Sequence, residues 1–304
     1  MITVRVAPTT ANLGPGFDCL AISLDLGKFC METTFELTGE DITVVPTGWG
    51  EKDVPRDKQN LVAVAFQHYA EQLGLAMPPG LSIHSHNGIP IGCGMGSSAA
   101  AIVTGLLAAD TLLRGNASQA DLLRMAYRLE GHADNTTAAL AGGLVILTIH
   151  EGEVVFRRVN ISRLPVVIVR PEFTLSTKAA RAALPNQVDF KDAIANLSGT
   201  ALTIEALRTG DLDLLGIVTN DKLHQPYRLP LIPGAEQAML AGKEAGAAAV
   251  MLSGAGPSLL AFTPNHQEVV AEAMQCAFEK AGLKSMVLTG WTANGPAIVS
   301  TSDQ

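Results

Sequence analysis

Residues 89–101 read IPIGCGMGSSAAA, and this stretch decides the fold. Glycines stand at 92, 94 and 96, followed by Ser97, Ser98 and three alanines. Upstream, Leu81–His86 alternates apolar and polar residues with the period of a short strand. Downstream, 99–113 is almost wholly apolar and predicts a buried helix. The order is strand, glycine-rich loop, helix. Unpaired N–H groups and the positive dipole end at a helix start favour an anion, and a phosphate is the natural guest. The Walker loop is excluded, because no lysine precedes the serines. The dinucleotide pattern GxGxxG fails too, since Ser97 stands where its third glycine would be. On spacing alone, a plain glycine turn ahead of a core helix stays open.

The bulk numbers set the frame. A chain of 304 residues can bury a large core in one or two domains. With 47% hydrophobic and 16% charged residues it reads as globular, not disordered. A net charge of −8 argues against a nucleic-acid partner, though not against small anions held by local loops. Cys19, Cys30, Cys93 and Cys276 show neither a CxxC pair nor a metal spacing, which fits a reducing, cytoplasmic setting. MITVRV carries no secretory-leader pattern. No apolar run is long enough for a membrane span, and the one after Ser98 stops at Asp110.

Along the chain, strands are predicted at Thr3–Val6 and Leu20–Leu26, with a turn at Gly14-Pro15-Gly16 between them. The intervening 7–18 is either a polar hairpin or a substrate loop carrying Asn12 and Asp18. Residues 47–59 form a surface loop. Asn60 then caps a helix whose apolar face is Val62, Phe66, Tyr69 and Leu73, ended by Gly74. Ser118 and Asp121 start another helix, with Leu122, Met125, Ala126 and Leu129 buried. Glu130 closes it, where the helix dipole disfavours a carboxylate. That hints at a cation ligand, with an exposed glutamate as the plain alternative. A small-residue helix leads to Gly142-Gly143. Strands at Leu144–Ile149 and Val154–Val159 flank a turn at Glu151-Gly152. Pro165–Arg170 is a buried strand, and helices follow at 176–184, 190–208 and 211–219. Arg181 and Arg228 would by default be solvated surface. Two strands, 248–253 and 259–263, flank Gly254–Ser258, which by itself is only a hairpin turn. The last helix is 267–281, with strand segments near Met286 and Ala297.

Several stretches carry a family resemblance. Pro90 to Ala100, PxxxGxGSSAA, resembles the phosphate loop of the GHMP kinases, the galactokinase, homoserine, mevalonate and phosphomevalonate kinase superfamily. Thr10 to Asp18, TANLGPGFD, resembles the first motif of the homoserine kinases within it, and lacks the lysine of the mevalonate-type motif. EGHADN at 130–135 is similar to the EGHPDN of those enzymes, although Thr136-Thr137-Ala138 replaces the usual Val-Ala-Pro. Gly254–Ser258 resembles the third superfamily motif. STKAAR at 176–181, and QPYR at 225–228 followed by LIPG, resemble the segments carrying two carboxylate-binding arginines.

The resemblance implies an α+β class and a two-domain GHMP kinase fold. Residues 1–160 would be a ribosomal protein S5 domain 2-like nucleotide domain, and 161–304 a ferredoxin-like domain. ATP would be held by Pro90, Ile91, Gly92, Cys93, Gly94, Met95, Gly96, Ser97 and Ser98, with Asn60 at the adenine. Ser98 and Glu130 would hold Mg2+. Asn12, Asp18, His132, Arg181 and Arg228 would bind L-homoserine, and Asp134, Asn135 and Thr177 would be catalytic. The implied activity is phosphorylation of the homoserine side-chain hydroxyl, a step toward threonine, by a cytoplasmic homodimer. The rival readings are a GHMP kinase for another small alcohol and a non-catalytic metabolite sensor on the same fold.

Overall fold

The computed structural model describes residues 1–301. The first half runs β1 (Ile2–Val6), β2 (Thr9–Ala11), β3 (Leu20–Asp25), β4 (Met31–Thr38), β5 (Ile42–Gly48), α1 (Leu61–Leu73), β6 (Gly80–Asn87), α2 (Ser97–Leu113), α3 (Gln119–Glu130), α4 (Asp134–Ala141), β7 (Leu144–His150) and β8 (Glu153–Val159). The second half runs β9 (Pro165–Pro171), α5 (Thr177–Ala182), α6 (Phe190–Thr209), α7 (Leu212–Val218), α8 (Gln225–Arg228), a 3-10 turn (Leu229–Leu231), α9 (Ala235–Glu244), β10 (Ala249–Leu252), β11 (Leu259–Phe262), α10 (Gln267–Lys280), β12 (Ser285–Ala293) and β13 (Ile298–Thr301). This is an α+β arrangement.

One sheet has the order β13-β1-β4-β6-β5, antiparallel except for β5 against β6. The other has the order β10-β11-β9-β12-β3-β7-β8, with β2 paired to β3. Residue 160 lies in the connection between β8 and β9. Both sheets nevertheless use strands from both sides of it: β13 borders β1, and β12 lies between β9 and β3. The larger apolar core likewise draws on both halves, joining Phe35, Phe66 and Ile102 with Ile168, Leu260 and Phe262. A second core, around Val169, Leu252 and Phe278, belongs to the later residues.

Local sequence explains most elements. Asn60 accepts from the N–H of Val62, and Gly74 ends α1 in the left-handed conformation. Ser118 and Asp121 form a reciprocal capping box on α3. In α2 ten residues from Ala99 to Ala109 are buried, because α1, α3, α4 and the first sheet all pack on it.

Two expectations need correction. Leu73 does not complete the buried face of α1; it is 38% exposed, in the last turn before Gly74. Thr47 and Gly48, expected in the surface loop 47–59, instead end β5; the sequence reading assigns neither β4 nor β5 nor α9. METTFELT in β4 does alternate buried and exposed residues, so its period of two was there to be counted.

Candidate functional site

The glycine-rich loop joins β6 to α2, and alternation holds it. Cys93 and Met95 are each 1% exposed and anchor the loop in the core. The glycines between them free its outer side. Asn87, at the end of β6, accepts from the N–H of Ile89 and donates to Ser97 Oγ, fixing both ends. Gly94 and Gly96 have positive φ, 78° and 71°. A Cβ on Gly94 would lie 1.9 Å from the carbonyl oxygen of Ser253, and one on Gly96 would lie 2.0 Å from Thr9 Oγ1. Those two glycines are therefore required by the close approach of the 254–258 turn and of β2. Ser253 Oγ bonds the carbonyl of Gly94 at 2.7 Å, which ties the third motif to the loop.

α2 starts without a side-chain cap and has no acidic residue in its first turn. Among the described residues, the N–H groups of Gly92, Gly94, Gly96, Ser97 and Ser98 have no protein acceptor. An uncapped start to a 17-residue helix, opening on a cleft, suits a bound anion.

That cleft has a volume of about 380 Å³. It is lined by 90–98, Asn12, Asp18, Glu130, His132, Asp134, Asn135, Thr177, Arg181 and Arg228, so every expected site residue except Asn60 meets there. Residues 174–176 and 254–256 add to the wall. Asn60 lines a neighbouring pocket of about 350 Å³ with Pro46, Trp49, Val62 and Ala101, and Ile91, Ser97 and Ser98 border both. Its side chain already accepts from Val62 and donates to the carbonyl of Pro55.

Glu130 and Ser98 face each other, with Ser98 Oγ donating to Glu130 Oε2 at 2.6 Å. The glutamate is not the exposed residue of the plain alternative, because its side chain is only 13% exposed. Burial raises its pKa, against the hydrogen bond from Ser98 and the nearby His132. His132 lies between two carboxylates, 3.4 Å from Asp134 Oδ1 and 3.9 Å from Glu130 Oε1. Contact with Asp134, and then the charge of Glu130, raises its pKa against burial.

Asp134 and Asn135 open α4. Asp134 Oδ1 accepts the N–H of Asn135 at 2.7 Å, while Asn135 Oδ1 accepts the hydroxyl of Thr9 at 2.8 Å. Among the described residues Asp134 Oδ2 and Thr177 Oγ1 have no hydrogen-bond partner in the protein. Thr136 and Thr137, the departure from the usual motif, are wholly buried, and Thr136 bonds the carbonyl of Ala133.

The segment 7–18 proves to be a hairpin and a wall of the cleft at once. Asn12 and Asp18 both have positive φ, 73° and 53°, a region rare for non-glycine residues and entered most readily by Asn and Asp. Asn12 accepts the N–H of Asp18 and donates to the carbonyl of Gly254, so its amide braces two motifs. Asp18 takes both ends of the Arg181 guanidinium at 2.8 Å. Arg228 departs most from the solvated default, being 1% exposed. It donates to the carbonyl of Ala180 and has no carboxylate within 4 Å among the described residues. Burial, then Arg181, push its pKa down to about 10.

Phe17, Thr9 and His224 lie outside the cleft lining but contact its residues, and the sequence reading does not include them. Both arginines lie over the Phe17 ring, Arg181 at 5.6 Å and Arg228 at 5.0 Å. Phe17 stood in the quoted first motif, and an aromatic next to an acidic residue was the available signal.

Comparison with known proteins adds independent findings. The family model described as GHMP kinases N terminal domain matches residues 60–143, and that described as GHMP kinases C terminal matches 203–280. A homoserine kinase of Moorella thermoacetica is 43% identical over 98% of this chain and 100% of its own length. One from Gloeobacter violaceus is 42% identical over 92% of this chain and 94% of its own. The crystal structure of homoserine kinase from Cytophaga hutchinsonii superposes with a TM-score of 0.87 at 28% identity, over 98% of this chain and 97% of that one. The L. major mevalonate kinase shares the fold, with a TM-score of 0.68 at 18% identity over 97% and 94% of the two chains.

Proposed function

The chain belongs to the homoserine kinases of the GHMP kinase family, and from that premise we propose how its cleft works. It transfers the γ-phosphoryl group of ATP to the side-chain hydroxyl of L-homoserine, giving O-phospho-L-homoserine on the way to threonine.

The observation that carries the substrate assignment is Arg228. A buried guanidinium without a carboxylate partner is costly unless an anion arrives. Asp18 and Arg181 pair with each other, which leaves Arg228 as the guanidinium here without a carboxylate within 4 Å among the described residues. The carboxylate of a free amino acid meets Arg228 and Arg181, and its ammonium meets Asp18. Mevalonate, which has no amine, would leave Asp18 unused.

The free N–H groups from Gly92 to Ser98 hold phosphate oxygens at the start of α2. The apolar pocket walled by Trp49 and Pro46 takes the adenine, and Asn60 shapes its edge. Ser98 Oγ and the Glu130 carboxylate are hard oxygen donors that suit Mg2+, an ion that keeps several waters and needs few protein ligands. The buried Glu130, with its raised pKa, is satisfied best beside a cation. An Mg2+ ion held by Ser98 and Glu130 would supply positive charge toward the phosphates.

Asp134 and Asn135 orient the homoserine hydroxyl, with Thr177 across the cleft. The alcohol oxygen forms the new P–O bond while the bond to the diphosphate leaving group breaks, and the hydroxyl proton passes to a phosphate oxygen or solvent. The transition state of phosphoryl transfer is loose, so positioning and charge dominate, and no strong base is required. Asn135 cannot take a proton.

ADP release measured against a panel of alcohols tests this reading. Turnover with homoserine well above that with mevalonate is expected. Preference for another alcohol points to a sister kinase, and no turnover with any alcohol points to a sensor.

A further inference from the structure

His224 is wholly buried, four residues before Arg228, so α8 sets the two side chains on one face. Its Nε2 lies 2.8 Å from the carbonyl oxygen of Gly14, which can only accept. Its Nδ1 lies 3.4 Å from Arg228 Nη1, which can only donate. The proton must therefore sit on Nε2, and the ring must be neutral. The ring also stacks on Phe17, with centroids 5.2 Å apart, the same ring that lies under both arginines.

The charges around it agree. Arg228 faces Nδ1, and Arg181, paired with Asp18, lies over the Phe17 ring. Asp221 Oδ2 is 3.5 Å from Nε2, but its two oxygens already accept the N–H groups of Leu223, His224 and Gln225 and the amide of Asn196. Burial holds the pKa of His224 below its usual value, against the pull of Asp221.

We propose that His224 is a positioning residue: as the neutral Nε2–H tautomer it fixes Arg228 and the Asn12–Asp18 loop relative to each other, and so sets the geometry of the subsite for the amino-acid carboxylate. Gly14 belongs to that loop, so a single ring spans two parts of the subsite, 12–18 and 224–228, that are far apart in the chain. This rests on the reading of Arg228 as the carboxylate ligand.

The test is a double-mutant cycle between His224 and Arg228, read as separate KM values for homoserine and ATP. His224→Phe keeps the stack on Phe17 and removes both the acceptor facing Arg228 and the donor to Gly14. It should raise the homoserine KM about tenfold or more, with kcat and the ATP KM within about twofold. His224→Asn, which places an oxygen near the position of Nδ1 but cannot reach Gly14, should recover only the part of that loss that comes through Arg228. In an Arg228→Ala background, His224→Phe should change the homoserine KM less than about twofold, because the group it positions is gone. Thermal midpoints are read first. If His224→Phe does not fold, His224→Gln, which keeps the donor to Gly14 and drops the acceptor, replaces it. Independent effects of the two substitutions, equal rises in both KM values, or no recovery in His224→Asn would each overturn the proposal. Wild-type turnover in the same assay separates the two levels. Its absence sinks the functional reading and this inference with it, whereas turnover with a His224-independent KM sinks this inference alone.

Discussion

Asp18 and Arg181, 163 residues apart, form a two-bond ion pair in the cleft, each bond 2.8 Å long. Both side chains are about two-fifths exposed, so water reaches the pair, and its contribution to stability is small. Its worth lies in presenting both signs of charge to a zwitterion. Asp18→Asn should raise the homoserine KM about tenfold or more, since charge-assisted hydrogen bonds contribute about 1.5–3 kcal/mol each. The thermal midpoint should move by no more than a few degrees. Steady-state kinetics and a melt on the same sample check both, and a large loss of stability with KM unchanged would make the pair structural.

Arg228 should separate function from stability more sharply. Arg228→Met fills similar space and removes a buried charge that has no carboxylate partner among the described residues. The free enzyme should melt at the same or a higher temperature, because the desolvation cost is relieved. The homoserine KM should rise by about 10²-fold, with the ATP KM little changed. A variant that unfolds while retaining its homoserine KM would return Arg228 to a purely structural role.

Glu130 carries a pKa raised by burial. A carboxyl raised on folding stabilises the fold below its unfolded pKa and loses that contribution as pH rises through its folded pKa. Metal-free Glu130→Gln should therefore be at least as stable as wild type at pH 8, with the difference shrinking toward pH 4. Mg2+-supported activity should fall by at least about tenfold. Melts in chelator across pH, together with a Mg2+ titration of activity, measure the two effects; wild-type Mg2+ dependence in the variant would rule Glu130 out as a ligand.

His132 has the opposite electrostatic setting. Asp134, and then Glu130, raise its pKa, so its charged form stabilises the fold below its unfolded pKa, and that contribution fades as pH rises through the folded value. His132→Gln should cost more stability at pH 6 than at pH 9 in chemical denaturation. Equal losses at both pH values would show that the ring serves only in packing.

Asp134 tests the proton. If it only orients the hydroxyl, Asp134→Asn should keep kcat within about tenfold when homoserine is saturating. Removal of an obligatory general base typically costs about 10²-fold or more. A loss of that size in kcat, with homoserine affinity intact, would overturn the base-free route.

The sequence alone determined whatever depends on neighbours a few residues apart. The strand–loop–helix order around 81–113, the Asn60 and Ser118 caps and the stop at Gly74 rest on residues within a few positions of one another. The motif residues could likewise be named in advance, since each sits inside a short string of distinctive spacing. Tertiary structure decided what those residues do to one another. The Asp18–Arg181 pair, the burial of Arg228 and the tautomer of His224 arise where segments far apart in sequence are brought together. So do the need for glycine at 94 and 96, imposed by Ser253 and Thr9, and the pairing of β12 and β13 with strands from the first half. Desolvation and ion pairing depend on distance in space, and a buried arginine and a solvated one are written with the same letter.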